Sequence, residues 1–349
     1  MRAIDTLAAM AREARASDIH ISEGMPVSMR VDGRLTEMAI PLTAEQIREM
    51  LLDLLTEEQQ KNLEKGIDAD FALVTADGGR QRVNVFRQQN KLAATLRLLN
   101  DSIPTLEQLG LPKVLATLSE APRGLILVTG PTGSGKSTTL AAMIDHINET
   151  RPDHIITIED PIEYVYKSKQ SLIHQREVGR DVVSFASALR SALREDPDVI
   201  LVGEMRDYET ISAAVTAAET GHLVMSTLHT IGAAQTIDRI IDVCPPNAQN
   251  QIRAQLAGVL RGVITQQLLP LAVGQGRCAT TEIMIGTDAI SNLIREAKTY
   301  QINSMMQSGA ALGMHTLNAD LARLVATGRI TQEMALRYTP DKGDLMQFL

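Results

Sequence analysis

The sequence predicts an α/β protein in which a small α+β domain precedes a larger domain with a mostly parallel sheet and a helical C-terminal tail. Three observations support this prediction. The length of 349 residues allows about two domains, each with its own core. In the second half of the chain, buried strands alternate with helical patterns, as in parallel sheets covered on both faces. A glycine-rich phosphate-binding motif directly follows one of those strands.

The domain boundaries follow from composition and from chain-breaking residues. We expect an N-terminal domain at residues 1–100, a linker at residues 101–112 and the second domain at residues 113–349. The linker begins with Asp-Ser-Ile-Pro-Thr, a sequence that disfavours a continuing strand. From residue 288 onward the pattern is wholly helical, which predicts a helical subdomain at residues 288–349.

The first domain combines helices with short strands. Apolar spacing predicts one helix at residues 3–14 and another at residues 43–55, where Thr43 and Gln46 form a capping box. Asp32-Gly33 predicts a hairpin turn. We expect strands at residues 19–21, 27–31, 71–75, 81–86 and 92–98.

The second domain has longer apolar segments. We expect strands at residues 125–129, 155–158, 199–202, 223–226 and 279–285. A long helix is predicted at residues 249–269. In the tail, helices are predicted at residues 290–295, 301–307, 317–326 and 332–338.

Composition narrows the functional classes. A net charge of −8 and only nine aromatic residues, none of them Trp, argue against a protein that coats nucleic acid, so we expect no nucleic-acid partner. The isolated Cys244 and Cys278 are too few for a four-cysteine zinc site. The first residues lack a signal-peptide pattern, and no apolar run approaches the roughly 20 residues that span a bilayer. We therefore expect a cytoplasmic protein that meets a membrane only through a partner.

The phosphate-binding motif predicts a site for ATP or GTP. Its glycines allow the tight turn that presents backbone N–H groups to phosphate oxygens. Lys136 would contact the β- and γ-phosphates, and Ser137 would place its hydroxyl on Mg²⁺. A chance match, or a loop that binds without hydrolysis, is the alternative. The motif comprises Gly130, Pro131, Thr132, Gly133, Ser134, Gly135, Lys136, Ser137 and Thr138.

Acidic residues follow two of the predicted strands. Glu159, Asp160 and Glu163 come directly after one strand, and Glu204 ends another with Gly203 where an Asp is usual. Ligands bind beyond the carboxyl ends of parallel strands, so these carboxylates are candidates to hold Mg²⁺ or to activate water. Asp160-Pro161 could instead begin a capped helix. We favour a catalytic role for Glu163 and a Mg²⁺ role for Glu204, Glu159 and Asp160, partly through water.

Two histidines bracket the predicted strand at residues 223–226. His229 follows the strand and could sense the γ-phosphate by a hydrogen bond. His222 precedes the strand, and a packing role is an equal alternative for it. Neither spacing nor neighbours indicate a metal site.

Residues 80–100 contain five basic residues and no acidic one. In an acidic protein such a segment suggests an anionic ligand nearby, although a solvated sheet face is the simpler explanation from the residues alone. The five are Arg80, Arg82, Arg87, Lys91 and Arg97.

These segments, in this order, resemble the secretion ATPases that drive type IV pili and type II secretion. Residues 159–163 match the family's Asp box, Gly203-Glu204 matches its atypical Walker B segment, and residues 221–230 contain its His box. Residues 16–21, Ala-Ser-Asp-Ile-His-Ile, match its N-domain signature. The resemblance covers nearly the whole chain.

Within this family the chain is similar to the pilus retraction ATPases. Residues 293–302, which include Arg295, resemble their C-terminal signature, and residues 313–318 are also similar. Ser291, Ala297 and Tyr300 differ from the usual Arg, Gly and His of that signature. Assembly ATPases usually carry a further N-terminal domain and a four-cysteine zinc module. The length of this chain argues against the first, and its two cysteines argue against the second.

The resemblance implies a PAS-like N-terminal domain, a RecA-like ATPase domain, and a homohexamer that uses ATP and Mg²⁺. It implies that Arg82 and Arg97 are arginine fingers, with Arg80 and Arg87 weaker candidates. The implied function is pilus retraction by pilin depolymerisation, which powers twitching motility. The implied partners are an inner-membrane pilus platform protein, a related retraction ATPase and, indirectly, pilin, which places the protein on the cytoplasmic side of the inner membrane. The alternative is a secretion or conjugation ATPase, or a motor that translocates nucleic acid.

Overall fold

A computed structural model of the chain describes residues 2–31, 33–99, 102–274 and 276–349. Asp32 of the predicted hairpin and Asp101 of the predicted linker lie outside these residues. The chain divides into a small unit, Met1–Ser102 with Pro161–Val165, and a large unit, Ile103–Asp160 with Tyr166–Leu349. Among the described residues, no helix is both long enough and apolar enough to cross a membrane.

The small unit is built on an antiparallel sheet of six strands in the order β3-β2-β1-β6-β5-β4. In β5, buried and partly exposed residues alternate, because successive side chains of a strand point to opposite faces. One face carries the apolar core with Ile4, Ile21, Leu51 and Leu96. The strands are β1 Asp18–Ser22, β2 Ser28–Val31, β3 Arg34–Glu37, β4 Ala69–Val74, β5 Arg80–Gln88 and β6 Lys91–Leu98; the helices are α1 Ala3–Glu13, α2 Ala44–Leu52 and α3 Glu57–Glu64.

The predicted capping box at the start of α2 is confirmed. The Thr43 hydroxyl accepts a hydrogen bond from the Gln46 N–H at 3.2 Å, and the Gln46 side chain accepts one from the Thr43 N–H at 2.9 Å. Helix α3 begins with the same arrangement between Thr56 and Gln59. Neither this second capping box nor the exposed edge strand β3 was predicted from the sequence.

The large unit has a seven-stranded sheet in the order β13-β12-β7-β11-β10-β8-β9. All neighbours pair in parallel except β12 and β13. The predicted mostly parallel sheet is therefore confirmed. The strands are β7 Gly124–Thr129, β8 His154–Glu159, β9 Leu172–Glu177, β10 Val199–Val202, β11 Leu223–Leu228, β12 Leu260–Pro270 and β13 Arg277–Ile285. The helices before the tail are α4 Val114–Ser119, α5 Lys136–Thr150, α6 Phe185–Ala192, α7 Tyr208–Glu219, α8 Ala233–Asp242 and α9 Gln249–Val259.

The predicted helix at residues 249–269 is wrong in its second half. Helix α9 ends at Val259, and Leu260 is extended with φ −63° and ψ 124°. Strand β12 then lies between β7 and β13, with a bulge between Leu260 and Gly262. Because a central strand is buried on both faces, its sequence need not alternate between apolar and polar residues, and the sheet position decides the structure.

The tail is helical from Asp288, as predicted. Its helices are α10 Asp288–Arg295, α11 Ile302–Ser308, α12 Leu317–Ala326, α13 Gln332–Tyr338 and α14 Lys342–Leu345, with 3₁₀ turns at Thr299–Gln301 and Ala310–Leu312. Ala297, in the signature where glycine is usual, has a φ of 57°. A Cβ is unfavourable in this left-handed conformation, which explains the preference for glycine there.

Candidate nucleotide-binding site

The phosphate loop connects the end of β7 to the start of α5. Gly130, Gly133 and Gly135 have φ angles of 138°, 79° and 90°, which L side chains rarely adopt. A Cβ at Gly130 would collide with the carbonyl oxygen of Gln266, and one at Gly135 would lie 2.7 Å from the Gln266 side-chain nitrogen. The backbone conformation therefore favours glycine at all three positions, and the close approach of β12 also excludes a side chain at Gly130 and Gly135.

Lys136 begins α5 and turns its amine into the loop. Its Nζ donates to the carbonyl oxygens of Gly130 at 2.8 Å and Pro131 at 3.0 Å, and only 9% of the residue is exposed. The 15-residue helix α5 adds its positive N-terminal end to this cation. The arrangement favours an anion inside the loop.

Ser134 provides a test of whether the loop fits a phosphate group. Its hydroxyl oxygen is buried, and no hydrogen-bond partner for it exists among the described residues. Buried polar atoms are normally paired, so this oxygen indicates a missing polar ligand. Together with the space that the glycines leave, it shows that the residues fit a bound phosphate.

Gln266 in β12 connects the loop to the sheet by two hydrogen bonds, a role that was not predicted from the sequence. Its side-chain oxygen accepts from the Thr139 hydroxyl at 2.7 Å, and its nitrogen donates to the Ser134 carbonyl at 2.8 Å. The preceding Thr265 shares a 2.9 Å hydrogen bond with Thr129 at the end of β7. No motif marks Gln266, because its role depends on the pairing of β12 with β7.

Glu204 lies at the carboxyl edge of the sheet, as predicted. Parallel pairing puts the ends of β10, β11 and β8 at the same edge as the end of β7. One Glu204 oxygen is 2.6 Å from Arg206 Nε, and the other is 3.7 Å from His229 Nε2. The same side chains line an open cavity of about 370 Å³ together with Thr230 and Arg239. The structure thus brings together two predicted residues, Glu204 and His229.

Glu159 also ends a strand at this edge, but its carboxylate is bonded to neighbouring side chains. One oxygen accepts from the Thr157 hydroxyl at 2.6 Å and from the Gln175 amide at 3.1 Å. Asp160 is exposed, and the described segment that follows it is not helical. The alternative of a capped helix start at Asp160-Pro161 is therefore wrong.

His222 lies at the opposite edge of the sheet from the phosphate loop. It precedes β11, whose first residue pairs with Gly124 at the start of β7. Its Nδ1 is 2.9 Å from the Ala217 carbonyl oxygen, in the last turn of α7. This contact helps to terminate α7, as expected for a histidine with a packing role. His222 and His229 lie at opposite ends of β11 and do not form one site.

The basic residues predicted as arginine fingers lie on β5 and β6 of the small unit. Arg82 and Arg97 are directly opposite each other in the strand register. Arg82 is 2.6 Å from Asp70, and Arg97 is 3.2 Å from Asp18. Arg82 is partly exposed and Arg97 is exposed, and each forms an ion pair with an acidic residue of the same unit.

Glu163 is partly exposed and belongs to the segment Pro161–Val165 of the small unit. Within that unit, Arg80 donates a 3.4 Å hydrogen bond to the carbonyl of Ile162, next to Glu163. The segment of the predicted catalytic acid thus contacts the basic strand. Arg295 lies in the tail, exposed on α10, where it donates to the Asn292 side chain at 2.7 Å.

The large unit and its loop define the class of protein. A parallel sheet, a glycine loop leading into a helix, a buried lysine and a strand-end glutamate together are the parts of a P-loop nucleoside triphosphatase.

The family described as "Type II/IV secretion system protein" matches residues 1–342. The type IV pilus retraction ATPase PilT of Pseudomonas aeruginosa is 50% identical over 95% of this chain and 96% of its own length. A twitching motility protein of Neisseria gonorrhoeae is 51% identical over 88% of this chain and 83% of its own. A crystal structure of the pilus retraction motor PilT with bound ADP has a TM-score of 0.91 and 48% identity, covering 99% of both chains.

The chain belongs to the Type II/IV secretion system protein family, and it is a P-loop ATPase of that family. The likeness to the PilT structure confirms the predicted α/β fold class, with an N-terminal domain followed by a RecA-like ATPase domain. It also confirms the resemblance to the secretion ATPases that the motifs predicted.

Proposed function

We propose that the chain is the ATP-driven motor of type IV pilus retraction. The observation that carries the proposal is the end-to-end similarity to PilT, a retraction ATPase, at 50% identity. The intact phosphate loop supports it, because a retraction motor must hydrolyse nucleotide. The functional domains we propose are residues 1–100, the linker at 101–112, and 113–349 with the tail at 288–349.

The proposed site residues divide the work of hydrolysis. The backbone of residues 130–138 and the Lys136 ammonium bind the phosphates, with the Lys136 amine leaving its two carbonyl partners for them. Glu163 acts as the general base that accepts the proton of the attacking water. His229, whose Nε2 is 3.7 Å from Glu204, senses the γ-phosphate by a hydrogen bond, so that the loop after β11 responds to bound nucleotide.

Mg²⁺ fits the donor set at this site. Ser137 is exposed at the start of α5, and Glu204 lies at the strand end, so a hydroxyl and a carboxylate are available as the oxygen ligands that Mg²⁺ requires. Glu159 and Asp160 would complete this donor set, partly through water. When bound, Mg²⁺ would neutralise the charge that develops on the phosphates.

We propose that Arg82 and Arg97 stabilise the developing charge of the transferring phosphoryl group, as arginine fingers. Their acidic partners would be exchanged for phosphate. The Arg82–Asp70 pair is partly exposed on both sides, and surface ion pairs of this kind are weak, about 0–1 kcal/mol. The motor is a homohexamer. A platform protein of the inner membrane and a related retraction ATPase are its partners, and it acts on pilin indirectly from the cytoplasmic side of the pilus base.

Deletion of the gene in its host tests the proposal. We expect cells with excess surface pili and no twitching motility, because assembly continues while retraction stops. Restoring the wild-type gene should restore motility, whereas Lys136→Ala should not. Loss of surface pili in the deletion strain would instead indicate assembly and would overturn the proposal.

A further inference from the structure

Glu282 is a buried carboxyl group outside the proposed nucleotide contacts. It lies in β13, and only 8% of the residue is exposed. Burial raises the pKa of this carboxyl group, and hydrogen bonds from the backbone of Ala233 and Leu317 lower it in part. Burying a carboxyl group is unfavourable unless hydrogen bonds compensate for the lost water. The two backbone bonds provide that compensation and indicate a structural role for Glu282.

The two partners of Glu282 are the first residues of two helices. Its Oε1 accepts the Ala233 N–H at 2.7 Å, and Ala233 begins α8. Its Oε2 accepts the Leu317 N–H at 3.3 Å, and Leu317 begins α12. The first N–H groups of a helix have no partner within the helix and carry partial positive charge. One side chain thus stabilises both helix starts.

These helices belong to different parts of the large unit. Residues 229–232, the His229 loop, connect β11 to helix α8. His229 Nε2 lies 3.7 Å from a carboxylate oxygen of Glu204. The N-cap of α8 is Gly232, which has no side chain to accept a hydrogen bond from the helix start. Glu282 in β13 accepts that bond instead. Helix α12 belongs to the tail.

The start of α12 is held against β13 by further bonds. Asp320 accepts from the Thr280 hydroxyl at 3.0 Å and from the Thr281 N–H at 2.8 Å. The backbone of His315 pairs with that of Ile283. The start of α12 is therefore tied firmly to the strand that carries Glu282, so a displacement of β13 reaches the tail.

Glu282 is also one strand away from the phosphate loop. It is the cross-strand partner of Thr265, which shares a hydrogen bond with Thr129 just before the loop. The side chain therefore adjoins three features at once: the strand behind the loop, the helix after His229, and the tail.

We propose that Glu282 is a positioning residue that couples the His229 loop to tail helix α12. The inference rests on the proposed function, since it requires nucleotide binding at the phosphate loop. When bound nucleotide shifts the His229 loop, the start of α8 shifts with it, and the shared carboxylate transmits the change to the start of α12. Hydrogen-bond networks that contact both sites are one means by which energetic coupling is carried.

Glu282→Gln separates coupling from simple capping. Glutamine has the same size but only one oxygen, so its amide nitrogen would face one of the two N–H donors. It can cap one helix but cannot hold both. Thr316→Ala is the matched control, because it removes the side chain that caps α12 itself and leaves both bonds of Glu282 in place.

The experiment is hydrogen exchange on the full chain with and without ADP, followed at the backbone amides of residues 233–236 and 317–320. In wild type and in Thr316→Ala, we expect ADP to slow exchange at both segments by roughly fivefold or more, the lower end of typical allosteric coupling. In Glu282→Gln, we expect ADP to slow exchange by the same factor at residues 233–236. At residues 317–320 the exchange rate should change by less than about twofold on adding ADP. Should Glu282→Gln not fold, Glu282→Asp, which is one methylene shorter, is expected to show the same loss.

Equal ADP-dependent protection at residues 317–320 in wild type and in the Glu282 variant would overturn the inference. So would a wild-type chain that binds ADP without any change at α12. Calorimetry on the same wild-type sample measures ADP binding first. A chain that binds no ADP would overturn the proposed function and this inference together, which distinguishes the two failures.

Discussion

Replacing Gln266 by leucine should loosen the phosphate loop without touching a phosphate ligand. Leucine has a similar volume, but it removes the bonds to the Thr139 hydroxyl and the Ser134 carbonyl. Each of these groups would then be buried without its partner, at a cost of about 1–3 kcal/mol apiece. We therefore expect the free energy of unfolding to fall by about 2–4 kcal/mol, since the apolar side chain offsets part of the loss.

The same change should weaken nucleotide binding. A loop that is no longer fixed to β12 must be ordered by the ligand, and we expect the ADP dissociation constant to rise at least tenfold, or about 1.4 kcal/mol. Chemical denaturation and calorimetry measure the two effects. Thr139→Val removes only one of the two bonds and should give about half the loss of stability.

Gln267→Leu is the control for Gln266→Leu, because it changes the next glutamine of β12, whose side chain points to the other face of the strand. We expect little change in ADP affinity from it. If Gln266→Leu stays within about 0.5 kcal/mol of wild-type stability, the range of a neutral surface change, and binds ADP normally, the role assigned to Gln266 is refuted.

Three further predictions concern the proposed roles in hydrolysis and force transmission. Glu163→Gln should keep nucleotide binding and lose most turnover, whereas Glu204→Gln should raise the Mg²⁺ concentration needed for activity; the reverse pattern in steady-state assays would mean that the two acids are exchanged. Arg295→Ala should retain ATPase activity while pili fail to retract, and joint loss of both would contradict a separate coupling role. Arg97→Ala should lower turnover by roughly 10³- to 10⁵-fold, and rings mixed with Lys136→Ala chains should regain part of it if the arginine acts between subunits. No recovery in rings shown to exchange subunits would exclude that arrangement.

The sequence predicted the phosphate loop and its surroundings because their chemistry is local. Three glycines, a lysine and a helix start occur within nine residues, and their conformations follow from residue type. The same holds for the capping box of Thr43 and Gln46, whose two bonds link residues three apart. Glu204 was also predictable, since parallel strands end at one edge of the sheet.

The sequence could not predict contacts that depend on strand order. Residues 260–269 are almost all buried, on both faces of the strand, so their pattern lacks the alternation of a half-buried strand, and the predicted helix ran through them. Once that strand was missed, Gln266 could not be placed beside the loop. The role of Glu282 could not be predicted either, because its hydrogen-bond partners lie 49 and 35 residues away along the chain.

The two histidines show how position within the sheet decides between alternatives that the sequence leaves open. They are seven residues apart, and each adjoins the same strand. The structure puts His229 3.7 Å from Glu204 at the carboxyl edge, whereas His222 contacts the end of α7 at the other edge. A strand of six residues separates them, about 20 Å at 3.3 Å per residue.

The central claim is that ATP hydrolysis by this chain drives pilus retraction, and the most direct test compares turnover with retraction speed. Turnover is measured on purified wild-type, Ser137→Ala and Lys136→Ala chains, and the speed of single retracting pili is measured in host cells that carry each variant. We predict that speed falls with turnover, with intermediate values for Ser137→Ala and no retraction for Lys136→Ala. Retraction at wild-type speed by a chain without turnover would contradict the account.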